Sequence, residues 1–202
     1  MQTEILWQAS FAALVIGYLL GAIPFGLLLT RFFGAGDLRQ IGSGNIGATN
    51  VLRTGRKELA AATLLLDLLK GVAAVNVAEW LFPGTGILAA MAAFLGHCYP
   101  FWLGFKGGKG VATLMGVVLA LHWPSGLIYA GVWLGMLGIV RISSVAGMSA
   151  AISAPISAAA FGRIDLVLLF LALALIVVWK HRENIDRLLS GTEPKVGKKK
   201  DA

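Results

Sequence analysis

The chain has 202 residues, of which 57% are hydrophobic and 13% charged, with a formal net charge of +7. Soluble domains carry about 25% charged residues, so this balance excludes an ordinary soluble enzyme, and the length leaves room for a single domain. The one cysteine, Cys98, excludes an internal disulfide scaffold.

The apolar residues are gathered in runs. Ile5 to Thr30 is 26 residues without a charge, Ile87 to Phe105 is 19 and Gly110 to Val140 is 31. A membrane span needs roughly 20 apolar residues. The first run is too long for a signal peptide, and Met1 to Glu4 lack a positive leading region. The expected fold is therefore an all-α polytopic membrane protein of about seven helices, at 5–30, 59–79, 87–105, 111–123, 125–140, 145–162 and 164–180. The 31-residue run is divided at Trp123-Pro124-Ser125, because proline breaks a helix and an unbroken one overshoots the bilayer. No internal repeat of fixed period is present.

Charge sets the orientation. With the N-terminus outside, the inside segments 31–58, 106–110, 141–144 and the tail from 181 hold nearly all lysine and arginine, while the outside loops hold only Arg163. Basic residues are retained on the cytoplasmic side, so the C-terminus is expected inside. Residues 1–193 are read as one transmembrane domain and 194–202 as a basic tail that touches anionic lipid. Nucleic acid is not an expected partner, because the positive charge lies in these loops.

In chain order, the first polar segment is 42-GSGNIGATNVLR-53. Glycine lets backbone N–H groups turn toward a ligand, Ser, Thr and Asn add neutral donors, and Arg53 can grip an anion with two donors. On spacing alone, an anion site and an ordinary polar loop weigh equally. Within the second span, Asp67 and Lys70 lie three apart on one helix face and read as a structural ion pair.

The segment 96-GHCYP-100 precedes 104-GFKGGKGVAT-113, where a helix begins at about Val111. A helix N-terminus with two lysines suits phosphate. The spacing of a nucleotide-binding loop fails, since three residues separate Gly104 from Gly108 and Gly110 follows Lys109. His97 reads either as a ligand contact or as a satisfied residue at a helix seam. Arg141-Ile142-Ser143-Ser144 adds a guanidinium and hydroxyls.

The last span leaves the bilayer as 180-KHRENIDRLLSGTEPK-195. His181 and Asn184 share a helix face. His181 and Asp186 spell a His-x4-Asp pattern, but five residues along a helix place them about 140° apart, so that dyad is rejected.

Together these segments give the chain a resemblance to the bacterial acyl-phosphate:glycerol-3-phosphate acyltransferase family (PlsY) over nearly its whole length. The best-matched strings are SGNIGATNVLR (43–53), GHCYPFWLGFKGGKGVAT (96–113) and HRENIDRLLSGTE (181–193). The resemblance implies a seven-helix enzyme of the bacterial inner membrane. It would move a fatty acyl chain from acyl phosphate to the 1-hydroxyl of glycerol 3-phosphate, releasing lysophosphatidate and inorganic phosphate, with no cofactor and no metal. It carries Ser43, Gly44, Asn45, Gly47, Thr49, Asn50 and Arg53 over from the first motif, and His97, Lys106, Gly107, Gly108, Lys109 and Gly110 from the second. Arg141 and Ser144 match an Arg-x-x-Ser element, and His181, Asn184, Arg187 and Glu193 match the third motif. A second serine frequent in the family is here Gly147, which therefore receives no contact.

The implied mechanism is direct attack by the glycerol hydroxyl, without an acyl-enzyme. Lys109, Arg53, Ser144, His181 and Asn184 hold phosphates, and the remaining motif residues bind substrate. The base is either a substrate phosphate oxygen or His181. The competing reading is a transporter for a phosphate-bearing solute, since glycine-rich helix ends serve that role as well.

Overall fold

A computed structural model describes residues 2–197, and these are helical, with no strand among them. The chain divides into two compact units, one ending at Leu121 and the other beginning at His122.

The first unit opens with α1 (Gln2–Gly21) and α2 (Phe25–Phe32). One unbroken helix is expected over 5–30, but the structure interrupts it at 22–24. Pro24 has no N–H to continue the ladder, and its ring crowds the preceding turn. The one-turn α3 (Ala48–Val51) and the long α4 (Lys57–Leu81) follow, then α5 (Gly86–Cys98), a 3-10 turn at Phe101–Leu103, and α6 (Val111–Leu121). α1 packs along α5, and α4 packs against α6. A Cβ at Gly17, Gly21 or Gly96 would overlap the backbone of the facing helix. Small residues of this kind let membrane helices approach closely, where lipid supplies no hydrophobic drive.

The second unit contains α7 (Trp123–Val140), α8 (Ser143–Ala160), α9 (Ile164–Lys180) and α10 (Arg182–Leu189). Pro124 lies in the first turn of α7, where a missing N–H costs nothing. The division therefore comes two residues earlier than expected, at His122 rather than Pro124. α8 packs between α7 and α9 and buries Ala146, Gly147, Ala150, Ala151, Ala154 and Ala158. α9 and α10 meet at a bend of 57° centred on His181.

Among the described residues, five helical segments are long and apolar enough to cross a membrane, or six if the bent pair α9–α10 counts as one. Large apolar side chains face outward along them, among them Trp7, Trp80, Ile139 and Leu168. Such a surface suits hydrocarbon rather than water. Of the expected basic tail, Lys198 to Lys200 lie outside the described residues. Val196 folds back, donating its N–H to the Arg141 carbonyl at 2.7 Å.

Candidate active site

In the first unit, the segment before α3 is built on Asn50, which is 3% exposed. Its Nδ2 donates to the carbonyls of Leu38 and Ile41 at 3.0 and 2.9 Å, and its Oδ1 accepts the Ser43 N–H at 3.2 Å. Arg53 reaches the same Oδ1 at 3.5 Å. Asn45 Oδ1 accepts the Gly47 N–H at 2.9 Å. These amides thus shape the loop from within, and Asn50 has its hydrogen-bonding capacity used there. Beneath them Leu27, Leu38, Ile46, Val51 and Leu59 form an apolar floor. Ser43, Thr49 and Arg53 are exposed, and Gly44 takes a left-handed φ of 68°. Upstream, the Arg39 guanidinium hydrogen-bonds Asp37 and holds its carboxyl well below the usual range.

The lysine loop is organised differently from expectation. The Gly107 and Gly108 N–H groups donate to the carbonyls of Cys98 and His97 at 3.2 and 3.0 Å, so they point into the protein. A Cβ at Gly107 would overlap the His97 carbonyl, one at Gly108 the His97 ring, and one at Gly110 the Phe94 ring. These three glycines are required by close packing, and the Gly107 and Gly108 N–H groups are spent within the protein. Lys106 is exposed and Lys109 half-buried, and α6 begins at Val111 as expected. Tyr18 bonds the Tyr99 carbonyl at 2.7 Å and accepts the Phe101 N–H at 3.0 Å, tying α1 to the entry of this loop.

His97 is 5% exposed. Its Nδ1 lies 3.7 Å from Asp67 Oδ1, which pairs with Lys70 Nζ at 2.6 Å. The expected Asp67–Lys70 pair is thus present, and it extends to His97.

In the second unit the hub is Glu193, reached through a turn at Gly191 with φ of 70°. Its Oε1 accepts from Ser144 Oγ and Asn184 Nδ2, each at 2.6 Å, and its Oε2 accepts from Arg187 Nε at 2.7 Å. Burial pushes the Glu193 carboxyl up, but these three hydrogen bonds and the Arg187 charge outweigh it and hold it below its ordinary value. Arg141 caps α7 in a left-handed conformation and meets the returning chain at Val196. His181, at the α9–α10 bend, is 4% exposed, with Nδ1 2.8 Å from the Val177 carbonyl. A carbonyl only accepts, so Nδ1 carries a proton, and in the neutral ring Nε2 holds the lone pair. Asp186 is exposed, whereas His181 is buried.

Ser144, Asn184, Arg187 and Glu193 thus come together in one network, while Lys106, Lys109 and His97 share one loop packing and Ser43, Asn50 and Arg53 another. Sequence reasoning missed Glu193 as the organiser. The available signal was a carboxylate in the same motif as the donors Asn184 and Arg187.

The sequence model of the glycerol-3-phosphate acyltransferase family matches residues 11–191. A glycerol-3-phosphate acyltransferase of Mesorhizobium japonicum is 59% identical over 187 residues, covering 93% of this chain and 96% of that one. One from Erythrobacter litoralis is 60% identical over 190 residues, covering 94% and 96%. Two crystal structures of PlsY (YgiH), an integral membrane glycerol 3-phosphate acyltransferase, are similar in fold. The glycerol 3-phosphate form has a TM-score of 0.87 at 38% identity, covering 93% of this chain and 96% of that one. The lysophosphatidic acid form has a TM-score of 0.86 at 37% identity, covering 93% and 95%. With the family matched over most of its length, this chain belongs to the glycerol-3-phosphate acyltransferase family and is an acyltransferase.

Proposed function

We propose that the chain transfers a fatty acyl group from acyl phosphate to the 1-hydroxyl of glycerol 3-phosphate, at the cytoplasmic boundary of a bacterial inner membrane. The observation that carries the reading is the pairing of exposed Arg53 and half-buried Lys109 with glycine-rich turns on apolar helices. Both reactants carry phosphate, and one carries a lipid tail. Basic groups at helix ends serve both needs. Taking α1–α2 as one crossing and adding α6 and α9 gives seven crossings, with the N-terminus outside and residues 1–193 acting as one domain.

In this reaction the glycerol hydroxyl oxygen attacks the acyl carbonyl carbon. The bond from that carbon to the phosphate oxygen breaks, and phosphate departs. The hydroxyl proton goes to a phosphate oxygen of a substrate or to His181 Nε2. Phosphate is already a good leaving group, so the protein has to align reactants and neutralise charge. Lys109 and Arg53 supply cationic grip in the first unit, with Ser43 and Thr49 in the segment of Arg53 and Lys106 and Gly110 in that of Lys109. In the second unit Asn184 and Arg141 offer N–H donors, Glu193 holds Ser144, Asn184 and Arg187 in place, and His181 offers Nε2 as a proton acceptor.

The test is to incubate purified protein with glycerol 3-phosphate and acyl phosphate, with acyl-CoA in a parallel tube. Lysophosphatidate should form with acyl phosphate alone. Formation only with acyl-CoA overturns the donor, and glycerol 3-phosphate uptake into liposomes without product favours a transporter.

A further inference from the structure

The buried pair Asp67–Lys70 of α4 sits beside the break between α1 and α2. Pro24 leaves the Ile23 carbonyl outside both α1 and α2, and Lys70 Nζ donates to it at 2.8 Å. The same ammonium lies 5.7 Å from the centre of the Phe25 ring. Lys70 is thereby held at two points, and it holds Asp67 at 2.6 Å. Both side chains are at most 5% exposed. Burying such a pair gives little net stability, so its place in the fold calls for a further role.

Asp67 supplies that role through His97. Its Oδ1 faces His97 Nδ1 at 3.7 Å. At that distance the carboxylate acts on the ring through its charge, favouring the orientation that turns Nδ1 toward Asp67. The opposite edge of the same ring lies against Gly108, whose missing Cβ makes the contact possible. The His97 carbonyl also receives the Gly108 N–H, and the next residue is Lys109. A fixed line therefore runs from the Ile23 carbonyl through Lys70, Asp67 and His97 to the backbone that carries Lys109.

We infer that Asp67 is a positioning residue for acyl transfer: through His97 it sets the place of the Gly108–Lys109 backbone, and so where the lysine meets substrate phosphate. The inference rests on the reaction proposed above. Displacing a phosphate-holding group by about 1 Å costs on the order of 10²-fold in rate.

Asp67→Asn alone would leave Lys70 charged and buried without its partner, so the informative variant is Asp67→Asn/Lys70→Gln. It removes both charges and keeps a donor for the Ile23 carbonyl. It is compared with His97→Gln and with the triple variant in detergent-purified full-length protein. Thermal unfolding and the KM and kcat for glycerol 3-phosphate and acyl phosphate are measured. The expected result is a kcat/KM about 10²-fold down, with KM raised for at least one substrate. The triple variant should fall no further than His97→Gln. Loss of folded enzyme lowers apparent kcat but leaves KM in place. Unchanged KM values, or losses that multiply in the triple variant, overturn the inference. Wild-type protein that makes no lysophosphatidate sinks the proposed reaction instead.

Discussion

Ser144 donates its hydroxyl to Glu193 Oε1 at 2.6 Å, although 49 positions separate the two residues. This bond fastens the start of α8 to the chain that returns after α10. Asn184 and Arg187 join the same carboxylate. Glu193→Ala leaves three donors without their acceptor, and each buried donor left so costs about 1–3 kcal/mol. A lowered unfolding temperature in detergent and faster proteolysis near Gly191 are expected. Glu193→Gln, which retains one carbonyl oxygen, should lose less. Equal stability of Glu193→Ala and wild type would show that the network holds nothing.

The same carboxylate sets a pH dependence. Its folded value lies below the ordinary one of about 4.3, because the hydrogen bonds and Arg187 outweigh burial. The stabilisation it contributes is therefore complete above the ordinary value and is lost as pH falls through the depressed folded value. Unfolding temperature measured on acidification below the ordinary carboxylate range should fall more steeply for wild type than for Glu193→Gln. Parallel curves would place the acid sensitivity elsewhere.

Helices were legible in the sequence because hydropathy is local, whereas the two hubs were not. Asp67 and Lys70 are one turn apart and readable as a pair, but His97 reaches Asp67 only through the packing of α5 on α4. Glu193 meets Ser144 across two helices. Asn50 looked like a donor to substrate because side-chain amides favour both loops and ligands. Its actual partners, the Leu38 and Ile41 carbonyls, follow from a fold-back that no periodicity marks. Pro24 was the one visible signal left unused, hidden inside an otherwise continuous apolar run.

Packing around His97 makes Gly108 sensitive. Gly108→Ala puts a methyl group where the imidazole sits, and overpacking of this kind costs about 1–3 kcal/mol. It should lower both unfolding temperature and turnover. Gly104, with φ of 59° and nothing within 4 Å of a Cβ, is the contrasting position. Gly104→Asn keeps a residue tolerant of that conformation and should remain near wild type in both measurements. If the two variants behave alike, the contact with His97 is not what requires glycine.

Lys109 and Arg53 carry the proposed phosphate grip. Removing one preorganised charge partner of a reacting group costs about 10²–10³-fold in rate. Lys109→Ala should lose about that much kcat/KM while unfolding at the wild-type temperature. Arg53→Lys should also lose activity, because an ammonium cannot reproduce a two-donor grip. Near-normal turnover of Lys109→Ala with acyl phosphate would remove it from the site.

Cys98 tests whether transfer is direct. Its thiol is fully buried at the end of α5, and its carbonyl, not its sulfur, receives the Gly107 N–H. A nucleophile for acyl phosphate needs access to the carbonyl carbon, which a buried thiol does not have. Cys98→Ala removes little more than volume, at a cost of about 1 kcal/mol, and should leave turnover close to wild type. Wild-type protein given labelled acyl phosphate without glycerol 3-phosphate should yield no hydroxylamine-sensitive adduct. A folded but inactive Cys98→Ala, together with a trapped acyl thioester on wild type, would replace direct attack with a two-step path through the cysteine.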